Sequence, residues 1–380
     1  MVGLLTTGVL VGCSQGGNEV DVSVTGTPVP SVSDSPTGSP SATDDSSGPK
    51  SDRPDRPPRV LGTIASGLEV PWGLAFLPSG DAVVTERISG RVLLLSGPKH
   101  RVSELGTIAI TEPNVEAGLL GVAVSPDFDS DRLLYFYVST AEDNRVVRAE
   151  LRGGGLGELQ DVLTGIPNGF IHDGGRLLFG PDGLLYVSTG EIGEPSLAQD
   201  RDSLAGKILR ITPDGDPAPG NPFDSPVWSW GHRNVQGLAF DDAGRLWASE
   251  FGDSSFDELN LIEKGANYGW PEVEGMPQGS QTDLDFTDPQ ATWDVAEASP
   301  SGLAFADGYL YLAALRGERL WRVPVTGRGA GKPEPFLAGE YGRMRTVAVA
   351  PDGTLWVTTS NRDGRGEPTK DDDRIISVRP

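Results

Sequence analysis

One short pattern returns six times along this chain, and no other feature restricts its fold as much. An alternating apolar segment runs into a tight turn and then into a second segment rich in Leu, Val, Tyr or Trp. The copies begin Gly73-Leu74-Ala75-Phe76, Gly121-Val122-Ala123-Val124, Arg176-Leu177-Leu178-Phe179, Gly237-Leu238-Ala239-Phe240, Gly302-Leu303-Ala304-Phe305 and Thr346-Val347-Ala348-Val349. The turns include Pro181-Asp182-Gly183 and Pro351-Asp352-Gly353, a strong hairpin signal between alternating apolar runs. Second strands follow, as in Leu185-Tyr186-Val187-Ser188 and Leu355-Trp356-Val357-Thr358. Successive starts lie 48, 55, 61, 65 and 44 residues apart, room for a four-stranded unit of ~40–50 residues plus loops. With 51 glycines and 31 prolines punctuating strands, and helical spacing nearly absent, the class is all-β. Six such units are expected to close into a six-bladed β-propeller of four-stranded antiparallel blades, which leaves only short protected edges and a central channel. A strand near Val60-Leu61-Gly62 and the last one, Ile375-Ile376-Ser377-Val378, are placed to share a blade and close the ring.

The repeat occupies residues 59–380. Residues 14–58 are rich in Ser, Thr, Pro, Gly and Asp with no aromatic residue; such a stretch buries too little apolar surface to offset its ordering entropy and is expected to be a disordered tether. Residues 1–13 end in Leu10-Val11-Gly12-Cys13, after the apolar Val2-Gly3-Leu4-Leu5, and the only cysteine is Cys13. This is similar to a bacterial lipobox, whose cysteine is acylated when the signal peptide is removed. The expectation is an extracytoplasmic protein, lipid-anchored to the outer face of a bacterial membrane and touching it only through that anchor. No Lys or Arg precedes the apolar run, so the true translation start is expected further upstream. The formal net charge of −23 repels phosphate backbones and argues against a nucleic-acid partner.

Fold does not fix function, so the chemistry is sought where polar residues interrupt the repeat, on loops held by the scaffold. Ile171-His172-Asp173-Gly174-Gly175-Arg176 carries one of three histidines. His172 reads either as a general base or as a turn residue satisfied by backbone. Trp230-Gly231-His232-Arg233-Asn234-Val235-Gln236-Gly237 follows. Its arginine offers a planar fork to carboxylates or carbonyls, while His232 reads better as part of an inter-blade hydrogen-bond cluster. Glu250-Phe251-Gly252-Asp253 and Phe256-Asp257-Glu258-Leu259-Asn260 bring carboxylates and loop carbonyls of the kind calcium requires. In Gly342-Arg343-Met344-Arg345 the alternation places both arginines on one face, with Leu315-Arg316-Gly317 one repeat earlier. They point to a small polyanionic ligand or to a pair of surface salt bridges.

Taken together these blocks resemble the glucose/sorbosone dehydrogenase family, the soluble pyrroloquinoline quinone-dependent aldose sugar dehydrogenases. The likeness runs from Val70 to Val378 and includes, in order, Glu116-Ala117-Gly118-Leu119-Leu120-Gly121, His172 with Gly174-Gly175, Gly206-Lys207-Ile208-Leu209-Arg210, Gly231-His232-Arg233-Asn234, Asp257-Glu258-Leu259-Asn260, Asn267-Tyr268-Gly269-Trp270-Pro271, Ser299-Pro300-Ser301-Gly302 and Gly342-Arg343-Met344-Arg345. It implies an oxidoreductase that passes hydride from an aldose or related alcohol to pyrroloquinoline quinone (PQQ) held with Ca²⁺, and then to an external electron acceptor. By that likeness His172 is the base, Arg233 stabilises charge on a quinone carbonyl, and Glu116 contacts base or substrate. Asn234, Arg316, Arg343 and Arg345 hold the quinone, and Gly252 and Asp253 offer backbone carbonyls to calcium. Ile171 stands where the best-known glucose-oxidising members carry an acidic residue, Phe251 and Asp253 where Gln and Pro are common, and Arg316 where lysine is frequent. The first two departures put glucose as substrate in doubt. Two other functions occur on such propellers: a calcium-dependent lactonase-like hydrolase, and a non-catalytic propeller that binds carbohydrate or protein. The arginine- and histidine-rich mouth suits an anionic cofactor better than the first, and His172, Arg233 and Arg343 together argue against the second.

Overall fold

A computed structural model describes residues 56–111, 115–279, 281 and 284–380; Cys13 and the tether up to residue 55 lie outside them. The chain forms a six-bladed β-propeller, each blade built on four antiparallel strands, with one four-residue α-helix, Phe128–Asp131, among the described residues. The innermost strands are Pro71–Phe76, Leu119–Val124, Leu177–Phe179, Val235–Phe240, Pro300–Ala306 and Met344–Val349, the six segments expected from the repeat. We number the blades I to VI in that order. Blade VI is completed by the chain's other end. Arg59–Ala65 pairs with Ile375–Arg379, Arg59 opposite Arg379 and Val60 opposite Val378.

The apolar residues do not gather in one central core. They form six clusters among the described residues, one in each seam between neighbouring blades. Leu77, Val83 and Val92 of blade I meet Leu119, Phe136 and Val147 of blade II. The ring is sealed where Leu74, Val84 and Leu93 of blade I meet Trp356 and Ile375 of blade VI. A middle strand faces two seams at once, which is why Ala82–Glu86 and Leu246–Glu250 are buried at every position. An outer strand such as Arg101–Thr107 is largely exposed. At the end of the axis where the innermost strands begin, most of the facing side chains are polar.

Two local devices bring those side chains to the axis. First, five of the six innermost strands carry a register irregularity in their first half, for example between Pro71 and Leu74, Leu119 and Val122, and Met344 and Val347. A bulge there bends the strand and re-aims its side chains. Second, glycine lets the innermost strands crowd together. A Cβ on Gly121 would lie 2.2 Å from the Gly175 carbonyl, and one on Gly237 would lie 2.4 Å from that of Ser301. The backbone groups freed by the bulges are satisfied by hydroxyls on second strands. Thr85 Oγ1 accepts from Gly73 N and donates to the Leu120 carbonyl of the next blade. Ser188 Oγ does the same between Arg176 N and the Val235 carbonyl.

Candidate active site

The channel mouth is assembled from two sets of segments. One set lies before or at the start of the innermost strands: Glu116, His172 to Gly174, Arg233 to Gln236, and Arg343 to Arg345. The other follows the second strands: Arg87, Glu191, Phe251 to Asp253, Leu315-Arg316, and Asn361 to Arg365. Members of both sets, among them Arg87, Glu116, Asp173, Phe251, Arg345 and Asp363, line one concavity.

His172 sits in a left-handed backbone conformation, φ 61°, which a non-glycine residue rarely adopts and which clusters at functional sites. Its Nδ1 lies 2.5 Å from Glu191 Oε1, both groups buried. With the carboxylate accepting Nδ1–H, Nε2 keeps its lone pair. The His172 N–H donates to Glu116 Oε2 (3.0 Å), and Asn234 Nδ2 donates to the same oxygen (3.2 Å). Asn234 Oδ1 accepts from Gly174 N at 3.1 Å. Glu116 thus ties the backbone of one expected site residue to the side chain of another, and the bland reading of His172 as a backbone-satisfied turn residue does not describe its ring.

Arg233 leads a second group. Its Nη1 donates to the Gly252 carbonyl at 2.5 Å and its Nη2 to Asp253 Oδ1 at 2.9 Å, so the arginine already grips the loop expected to face calcium. Its buried Nε finds no acceptor. His232 is structural: Nδ1 bonds Glu250 Oε2 (2.8 Å), Nε2 bonds Ser229 Oγ (2.8 Å), and the ring stacks on Tyr268 at 4.6 Å. Behind the loop, Glu274 Oε1 accepts from the backbone N–H groups of Asp253, Ser254, Ser255 and Phe256 at 2.7–3.0 Å. Burial pushes Asp257 up to about 6, against hydrogen bonds from Ser299 N and Gly252 N. Burial and the nearby Glu250 carboxylate also push Glu258 up.

The arginines form a third group. Arg343 Nε and Nη2 both donate to Asp363 Oδ2 (3.0 and 2.9 Å), and Arg345 Nη2 approaches it at 3.6 Å. These are not surface salt bridges, for Arg343, Arg345 and Asp363 are all buried. Burial opposes ionisation of Asp363, yet Arg345 and Arg343 hold its carboxyl below the usual range. Arg345 also donates to Gln236 Oε1 at 3.0 Å, and its buried Nε lacks an acceptor. Burial brings its own value down to about 9. Arg316 stands exposed beside Leu315, which lines the concavity. Arg365 Nη1, 3.8 Å from Glu116 Oε1, joins the arginine group to the histidine group.

Several participants escaped the sequence reading, Glu191, Asp363 and Gln236 among them. These three each had a signal. Glu191 and Asp363 lie just beyond the second strands of blades III and VI, where Glu250 stands in blade IV. Gln236 lies inside a block already singled out. As to what the site can hold, buried N–H groups without acceptors at Arg233 and Arg345 suit a ligand rich in anionic or carbonyl oxygen. No group of three or more His, Cys, Asp or Glu placed to hold a metal occurs among the described residues.

The sequence profile of the Glucose / Sorbosone dehydrogenase family matches residues 68–367. The chain belongs to this family. Among solved structures, the PQQ-bound aldose sugar dehydrogenase of Streptomyces coelicolor is 53% identical, with a TM-score of 0.82 over 86% of this chain and 99% of that one. A Thermus structure described as a putative oxidoreductase (glucose dehydrogenase) is 45% identical, with a TM-score of 0.78 over 85% of this chain and all of that one. The aldose sugar dehydrogenase YliI of Escherichia coli is 29% identical over 333 residues, 78% of this chain and 89% of the relative. The glucose/sorbosone dehydrogenase profile thus spans all six innermost strands and both sets of mouth segments.

Proposed function

We propose that this protein oxidises an aldose sugar or related alcohol with PQQ and calcium bound at the channel mouth, and hands the electrons to an external acceptor. The observation that carries this reading is the buried His172–Glu191 pair beside arginines with unanswered N–H groups, in a chain whose net charge is −23. When bound, the quinone supplies a carbonyl carbon able to accept hydride. His172 Nε2 takes the hydroxyl proton of the sugar, and Glu191 stabilises the imidazolium that results. The free N–H of Arg233 is available to developing negative charge, the electrostatic role such sites need. Asn234, Arg316, Arg343 and Arg345 hold the quinone's oxygens, Glu116 fixes His172 through its backbone, and the carbonyls of Gly252 and Asp253 face the calcium ion. Arg233 donates to the Gly252 carbonyl, so an ion held at that oxygen would compete with Arg233 for it, which links calcium to the arginine that would face the quinone.

The test is a titration of the purified protein with PQQ, with and without calcium, followed by aldoses and an artificial electron acceptor. Quinone binding that needs calcium, and turnover that needs sugar, are the expected results. His172→Ala should lower kcat by roughly 10²–10⁴-fold, the usual contribution of a positioned base, with quinone affinity little changed. Absence of quinone binding at micromolar concentration in the folded protein, or opening of lactones by calcium alone, overturns the proposal.

A further inference from the structure

The channel has a second mouth. The innermost strands all run the same way along the axis, so the starts of the strands build the His172 site and their ends build the opposite opening. That opening is a funnel of about 480 Å³, within the usual range of ligand pockets. Its wall is apolar on every side, with Leu74, Val122, Phe179, Phe240, Phe305 and Val349 each from a different blade. Its lining also includes Arg176 and Thr346.

Arg176 is the anomaly. It is 8% exposed, stacks on Trp72 at 4.2 Å, and donates from Nε to the Gln236 carbonyl (2.8 Å) and from Nη2 to Thr346 Oγ1 (3.1 Å). A guanidinium has five N–H groups, and the described residues offer no acceptor to the others. No carboxylate balances its charge. Burial first, and then the neighbouring cation Arg345, bring it down to about 9. Asp363, which neutralises Arg343 and Arg345, serves the other mouth. A buried cation without a counter-charge is costly, and it stands here inside an open apolar funnel of a strongly acidic chain.

We propose that this funnel is a second ligand site, one that takes an amphipathic anion with its carboxylate against Arg176 and its apolar body along the six-bladed wall. Arg176 supplies charge and donors, and the ring of innermost-strand ends supplies the apolar contact. The site owes nothing to the quinone, and its occupant need not enter by the His172 mouth.

Octanoate and 1-octanol, equal in chain length and different in charge, are the probes, each titrated calorimetrically into the full chain. Octanoate should bind saturably at one site and at least about tenfold more tightly than 1-octanol, a 1.4 kcal/mol preference. Arg176→Met should erase the preference, and Arg176→Lys should restore part of it. Should loss of the Trp72 stack unfold the Arg176 variants, Val349→Asp decides. Val349 is 38% exposed on the rim, and a like charge there should weaken octanoate about fivefold while 1-octanol changes less. Equal affinity for the two probes, no saturable octanoate binding, or octanoate binding that PQQ displaces and Val349→Asp leaves intact overturns the proposal.

Discussion

His172 shows how a single residue is held ready for chemistry. Its ring is fixed by Glu191, its backbone by Glu116, and its φ of 61° is a conformation that persists only when the surroundings over-determine it. The next residue adds a pH dependence. Burial pushes Asp173 up to about 6, against hydrogen bonds from Asn144 and Gly169, and its Oδ2 is buried without a donor. An unfolded aspartate titrates near ~3.9. Between about pH 4 and 6 the folded state therefore holds more protons than the unfolded one, so stability falls as pH rises through that window and levels off above it. Asp173→Asn keeps an oxygen for Asn144 and Gly169 and removes the buried charge. Its melting temperature should gain on the wild type as pH goes from 4.5 to 7.5, and parallel curves across that range would refute the assignment. The histidine was legible in the sequence because His172 is one of three and breaks the repeat. Its partner was harder to read: Glu191 has the signal of its place just beyond a second strand, yet it is one of many carboxylates in an acidic chain, and the close pairing of two loops is what singles it out.

Among the elements, the loop 252–256 illustrates what a repeat leaves unwritten. The period locates every innermost strand, since alternation and turn chemistry are local. The bulges that turn Trp72, Gln236 and Arg345 toward the axis depend on neighbouring strands crowding at Gly73, Gly121 and Gly237, which is a property of the closed ring. Likewise the four backbone N–H groups collected by Glu274 come from a segment some twenty residues away. This carboxylate shapes the turn that presents the Gly252 and Asp253 carbonyls. Glu274→Ala should loosen calcium-dependent PQQ binding by about tenfold or more, since hydrogen bonds to a charged group contribute roughly 1.5–3 kcal/mol. The exposed loop can turn to water instead, so the melting temperature should move by only a few degrees. Glu274→Gln, which keeps the accepting oxygen, should lie between. A variant that melts far lower yet binds calcium and quinone normally would make Glu274 a purely structural residue.

The whole molecule stands or falls by its seams. With six clusters between blades and none at the centre among the described residues, each blade depends on two neighbours, and the seam between blades VI and I is clasped by Arg59–Ala65, which crosses to join Ile375–Arg379 and adds Ala65 to the Leu74, Val84 and Trp356 contact. Removing residues 375–380 deletes the third strand of blade VI and strands the fourth, so the truncated chain should lose its cooperative denaturation transition rather than one sixth of its structure. Joining the two ends and reopening the chain between two other blades should preserve that transition, because the same seams survive; a permutant that fails to fold would show that the position of the break matters. The clasp also sets a clock. No nascent chain can close its ring before Ile375–Arg379 has left the ribosome, so the five blades made earlier wait on that one strand. A copy that ends before Trp356 leaves Leu74, Val84 and Leu93 without their partners across the seam, and should be cleaved by protease faster than the full chain.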